Sequence, residues 1–262
     1  MHARRRLVAL VLGAAVLATA GAAAYAQDWF GRRRSTETIA NVEYDGRLTF
    51  VRIRFAVGFE GAISRRGSRG ELPWAHDYPT ADIHLMKIMN ELSIASARTD
   101  GSNVLTTDDP ELFNYPIAYV SEPGFWNPTD AEAAGLRQYL LKGGFVIFDD
   151  FRVDGRSDDW SNLEGQMRRV LPESRFVVLD ETHPIFNSFF EIRKFDFGYY
   201  GQEVYYGIFE DNDPKKRLVA IAGLNQDLGE FWEFSDTGFV PIDLSNEAYK
   251  FGVNYYIYAM TH

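Results

Sequence analysis

The chain has no cysteine. That excludes thiolate nucleophiles, cysteine-ligated metal centres, disulfide staples and lipid attachment through a cysteine. Stability must then come from packing, and 262 residues are enough for a sizeable core. Positive charge is also in short supply. Lys and Arg number 27 against 37 Asp and Glu, a net charge of −10. Such a balance argues against nucleic acid or anionic lipid as a partner. Several catalytic and metal signatures are missing: no G-x-S-x-G elbow, no H-x-x-x-H pair and no complete EF-hand loop. No repeat of roughly 20–50 residues is visible either.

Long apolar runs are confined to the start. Arg4, Arg5 and Arg6 precede an apolar stretch from Leu7 to Ala20, and Ala24-Tyr25-Ala26 offers a small-x-small cleavage site. This pattern predicts a signal peptide over 1–26 and a periplasmic or extracytoplasmic destination. A retained anchor is the alternative, because residues 7–26 are about long enough to cross a bilayer. Arg5-Arg6 leaves twin-arginine export open beside the general route. Cleavage makes the chain more acidic still and leaves no stable membrane insertion. Residues 27–48 are polar, carry the basic cluster Arg32 to Arg34 and predict a linker. Residues 49–262 then form a single domain.

Within that domain the hydrophobic pattern switches repeatedly between strand and helix. "FVRIRFAV" (50–57) alternates apolar and basic residues, as a strand with one exposed or charge-paired face does. A Gly-, Ser- and Arg-rich loop is expected over 60–70. Leu85, Ile88, Met89 and Leu92 predict a helix over 80–92. "IAYV" (117–120) and "FVIF" (145–148) read as strands buried on both faces. Thr129 with Glu132 and Ser161 with Glu164 are capping-box pairs for helices over 129–142 and 161–170. Further strands are expected over 175–179, 202–209 and 217–224, and a last helix over 245–260. Alternating strands and helices predict an α/β domain with a mostly parallel sheet. Ligands of such sheets sit beyond the carboxyl ends of the strands.

That rule selects candidates. Asp149 and Asp150 end the apolar strand in "GGFVIFDDF". Neighbouring strand residues face opposite ways, so at most one is expected to reach a ligand while the other caps a turn. His183, after strand 175–179, is the candidate acid/base partner. Trp74 and Asp77 in "WAHDYP", and Asp227 and Trp232 in "DLGEFWEF", pair aromatic faces with carboxylates, as saccharide or peptide binding requires. Each also has a structural alternative as a loop anchor. His76 with Asp77 and His183 is a possible ligand group, but the spacing matches no metal motif, and neither metal nor cofactor is expected. Ser121 lacks any nucleophile signature, and His84 reads as an ordinary helix residue.

Several stretches together resemble the domain-of-unknown-function 4159 family: "LPWAHDYPTAD" (72–82), "LFNYPIAYV" (112–120), "LRQYLLKGGFVIFDD" (136–150), "MRRVLPE" (167–173), "HPIFNSFF" (183–190), "DLGEFWE" (227–233) and "FGVNYYIYAMT" (251–261). The resemblance implies a class I glutamine amidotransferase-like fold, a flavodoxin-like three-layer sandwich. It also implies an association with envelope systems pairing an AAA-type ATPase with von Willebrand A-like proteins. It brings no established activity. Amidotransferases use a cysteine nucleophile, so that route is closed to this chain. The expectation is an exported, non-catalytic binding or scaffolding domain of an envelope complex. The alternative is a hydrolase of a carbohydrate or peptide envelope substrate using Asp149/Asp150 and His183.

Overall fold

The apolar runs become strands and the capped amphipathic stretches become helices. The computed structural model describes residues 40–57, 72–92, 96–154, 158–198 and 201–262. The expected signal peptide, most of the linker and the loop over 60–70 lie outside the described residues. Val51–Ile53 (β1), Asn103–Leu105 (β2), Ile117–Ser121 (β3), Phe145–Phe151 (β4), Val177–Val178 (β5), Val204–Phe209 (β6) and Leu218–Leu224 (β7) form one seven-stranded sheet. Its order is β2-β1-β3-β4-β7-β6-β5. Pairing from β2 across to β7 is parallel, and β6 runs antiparallel to both of its neighbours.

The helices are Thr80–Leu92 (α1), Asp130–Leu141 (α2), Asp159–Val170 (α3), Leu228–Glu233 (α4) and Ile242–Thr261 (α5). Strand alternation distributes side chains between two cores. Ile117 and Tyr119 of β3 pack with α1, α4 and α5. Ala118 and Val120 pack with α2 and α3. Each large apolar side chain buried this way contributes about 1.5–3 kcal/mol. Helices therefore cover both faces of the sheet, as the continuous apolar strands require. Among the described residues no helix is long and apolar enough to cross a membrane.

Three details differ from expectation. β2 is too short to show a period, yet it is an edge strand covered by the end of the expected linker. Val104 N–H donates to Asn41 Oδ1 at 2.8 Å, and Asn41 Nδ2 donates to Val104 O at 2.9 Å. Covering an exposed edge in this way blocks further strand pairing. α2 has its capping box, with Thr129 N–H donating to Glu132 Oε2 at 2.7 Å. α3 instead begins earlier than expected, because Asp158 caps it by accepting from Ser161 N–H at 3.1 Å. The stretch over 228–233, expected as a loop, is the short helix α4.

The strand order fixes where a site belongs. From β1 the chain passes through α1 to β2 at one edge. From β3 it passes through α2 to β4 in the opposite direction. This reversal opens a crevice beyond the carboxyl ends of β1 and β3, the usual location for a ligand in a parallel sheet.

Candidate functional site

The aspartate pair at the end of β4 is resolved by a bulge. Phe148 pairs with Ala222 and Phe151 with Leu224, so β4 carries one residue more than β7 over this interval. The extra residue is Asp150, whose φ of 55° is left-handed. Asp149 keeps the strand alternation and turns to the α1/α4 face, where its Oδ2 accepts from Tyr119 Oη at 2.8 Å and Gly229 N–H at 3.1 Å. Asp150 leaves that alternation and meets the His76 imidazole, Nδ1 to Oδ2 at 2.7 Å. The two carboxylates thus diverge, and Asp150 is the one that joins the crevice cluster.

His76 is delivered by the loop after β1. A 3-10 turn, Pro73–Ala75, precedes it. Arg52 in the middle of β1 holds the loop from beneath: Nη1 donates to His76 O at 2.8 Å and to Trp74 O at 3.2 Å. Asp77 follows with φ of 63°. Its carboxylate is fully buried, and neither oxygen has a hydrogen-bond partner among the described residues. Gly229 leaves space for it, since a Cβ there would fall 2.4 Å from Asp77 Oδ2. Any larger residue would have to displace that carboxylate.

β7 supplies the remaining wall. After Asn225, again left-handed at φ 61°, Asp227 caps α4 by accepting from Glu230 N–H at 2.9 Å. The cap fixes both acidic residues at the site's edge. Ligand-capable atoms of His76, Asp150 and Asp227 lie within 4.8 Å of one another, and so do those of His76, Asp77 and Glu230. Glu122, beyond β3 and left-handed at φ 45°, brings Oε1 to 3.8 Å from His76 Nδ1. One imidazole is therefore ringed by carboxylates from the carboxyl-end segments of four strands, β1, β3, β4 and β7. Only His76 opens appreciably to solvent: its side chain is 24% exposed, against 2% for Asp150.

Burial governs the protonation here. It drives the Asp77 and Asp227 carboxyls well above the usual carboxylate range, and neighbouring acidic groups add to the effect. Burial raises Asp149 to about 6, against the pull of the Tyr119 hydroxyl. It disfavours an imidazolium at His76, yet Asp77 and Asp150 outweigh it and hold that pKa well above its ordinary value. The cluster is almost entirely an array of acceptors. It can hold a cation, accept hydrogen bonds from hydroxyl or amino groups, or pass a proton between His76 and Asp150.

Of the residues selected from sequence, Asp77, Asp150 and Asp227 converge, with Asp149 just behind them. His183 does not join them. Its ring packs 5.7 Å from both Phe209 and Tyr258, and its Nδ1 accepts from Ile185 N–H. Phe209 pairs with Leu218 at the start of β7, whereas Asp227 lies beyond the end of that strand. The expected pairing of His183 with Asp149 or Asp150 is therefore absent, because the turn over 180–183 folds the chain away from the carboxyl edge. Trp74 and Trp232 are buried core rings, lying 6.3 Å from Tyr78 and 6.0 Å from Tyr119. They anchor their loops and do not line the crevice. His84 Nδ1–H donates to Trp232 O at 2.9 Å, a helix-to-loop tie. His76 was considered from sequence only as part of a ligand group with Asp77 and His183; Glu122 and Glu230 were not selected, although each follows the end of a parallel strand.

Fold and site together define an α/β protein that carries its polar chemistry on loops at one edge of a mostly parallel sheet. The chain matches the model of the family described as Domain of unknown function (DUF4159) over residues 65–260, and it belongs to that family. The match includes every member of the cluster from His76 to Glu230. A comparison with curated proteins gives no match.

Proposed function

We propose that this chain is an exported, non-catalytic binding domain of a bacterial cell-envelope complex, and that the crevice cluster is where it takes its ligand. The observation that carries this reading is Asp77: a fully buried carboxylate with no hydrogen-bond partner among the described residues. Leaving such a group unsatisfied costs roughly 1–3 kcal/mol. An acceptor kept at that cost suits a ligand rich in hydroxyl or amino donors, as envelope saccharides and peptides are. The fold proposed is the flavodoxin-like three-layer sandwich of the class I glutamine amidotransferase-like group, supported by helices on both faces of the sheet. By family resemblance, the surrounding complex would contain an AAA-type ATPase and von Willebrand A-like proteins.

A second reading, a hydrolase of the same substrates, draws support from the 2.7 Å contact between His76 and Asp150, an acid/base pair in the crevice. It no longer draws on His183. A thermal-shift screen of the mature chain against cell-wall saccharides and peptides tests both. Binding predicts a fragment that raises Tm, is recovered intact by chromatography and loses its effect in Asp77→Asn. Recovery of a cleaved fragment would favour the hydrolase, and no shift with any fragment would reject the binding role for this crevice.

A further inference from the structure

We infer that the crevice cluster is a divalent-cation site with His76, Asp77, Asp150, Asp227 and Glu230 as its ligands, suited to Mn2+ or Zn2+ over Mg2+ or Ca2+. The inference rests on the binding role just proposed for this crevice and names its inorganic occupant. It departs from the sequence expectation of no metal, which was based on spacing. Here the ligands come from the loop after β1, the bulge at the end of β4 and the start of α4, so no short motif can announce them.

Three observations carry it. The first is distance. Metal–ligand bonds of about 2.0–2.2 Å put opposite ligands roughly 4.2 Å apart. Both groups that contain His76 already have their ligand atoms within 4.8 Å of one another, so small side-chain movements close the shell. The second is the Asp77 carboxylate, wholly buried, with neither oxygen taken by a hydrogen-bond donor among the described residues. The third is the support behind the ligands. Glu230 N–H fixes Asp227, Arg52 fixes the His76 backbone, and the missing Cβ of Gly229 leaves room for Asp77. Such outer contacts orient ligands and tune affinity.

The ligand types choose the ion. An imidazole nitrogen among carboxylate oxygens suits Mn2+ or Zn2+, whereas Mg2+ and Ca2+ favour oxygen-only shells. His76 Nδ1 would give up its proton on coordination and Asp150 would turn its oxygen to the ion. The partly exposed His76 marks the entry path.

Calorimetric titration of chelator-stripped mature chain with MnCl2, ZnCl2, MgCl2 and CaCl2 tests the inference. One Mn2+ or Zn2+ per chain is expected, bound at least about tenfold more tightly than Mg2+ or Ca2+. Asp77→Asn and Asp227→Asn should each weaken binding about tenfold or more. Asn retains capping ability at 227, so that variant should fold, as circular dichroism would report. Mn2+ should also broaden the His76 imidazole proton resonances of the wild-type chain. No binding of any of the four ions, or binding that neither variant weakens, would overturn the site. Tighter binding of Mg2+ or Ca2+ would overturn the choice of ion. Fragment binding without metal binding would defeat this inference alone, and metal binding without fragment binding would defeat the ligand role alone.

Discussion

Two buried carboxyl groups lie on either side of the loop after β1, and they are built on opposite principles. On one side Asp82, in the first turn of α1, is saturated. It accepts from Arg52 Nη2 at 2.5 Å, from Arg52 Nε at 3.2 Å and from Ser102 Oγ at 2.9 Å. Both members of the ion pair are fully buried. The Arg52 guanidinium also lies 4.9 Å from the Tyr119 ring centroid. On the other side Asp77 is equally buried and holds no hydrogen bond among the described residues. Burial is the same, so the difference lies in partners. A buried charge matched on every side serves the fold, because removing either member strands the other. A buried carboxyl left without a hydrogen bond weakens the fold by itself, and it is the arrangement a ligand can complete.

The same chemical change should therefore have opposite signs at the two places. Asp82→Asn strands the Arg52 guanidinium and should cost about 3–5 kcal/mol in urea-induced unfolding. Asp77→Asn, measured in chelator, should raise stability by about 1 kcal/mol, since it removes a buried ionisable carboxyl that no hydrogen bond offsets and keeps a residue that tolerates left-handed backbone. A loss of stability in Asp77→Asn comparable to that of Asp82→Asn would collapse the distinction. Glu203 is an intermediate case and gives the smallest effect. It accepts from Phe197 N–H at 2.7 Å and Tyr205 Oη at 2.8 Å, yet burial still raises it from 4.5 to about 7, with Asp196 and Asp149 adding to the rise. A carboxyl raised on folding binds its proton more tightly in the native state. Its contribution to stability is greatest below pH 4.5 and is lost as pH rises towards 7. Glu203→Gln should flatten that stretch of the stability–pH curve, which thermal melts across pH 4–8 would record.

Much of the frame was legible because its determinants are local. α1 begins and ends where its periodicity does, the Thr129–Glu132 box starts α2, and β3 and β4 follow from continuous apolar runs. β2 was not legible, since three residues carry no period. The final antiparallel strands were harder still, because strand direction depends on how a connection closes in space. His183 shows the consequence. It follows a strand, as the carboxylates do, but a two-residue edge strand and a reversing turn carry it elsewhere. The aspartates at the strand ends pointed to the edge of the sheet where the cluster lies. The outward turn of Asp150 was hidden, because a bulge appears only as a register shift against β7.

Arg52 grips the loop after β1 by two main-chain oxygens, those of Trp74 and His76. Every residue type offers a carbonyl, so this grip is indifferent to which side chain stands at 76. The path of the loop and the chemistry displayed on it are in that sense separately specified. Position 77 is less tolerant, since its backbone favours Asp, Asn or Gly. Within that limit the loop works as a socket: its mounting belongs to the strand below, and the contacts it presents can be exchanged without rebuilding the mount.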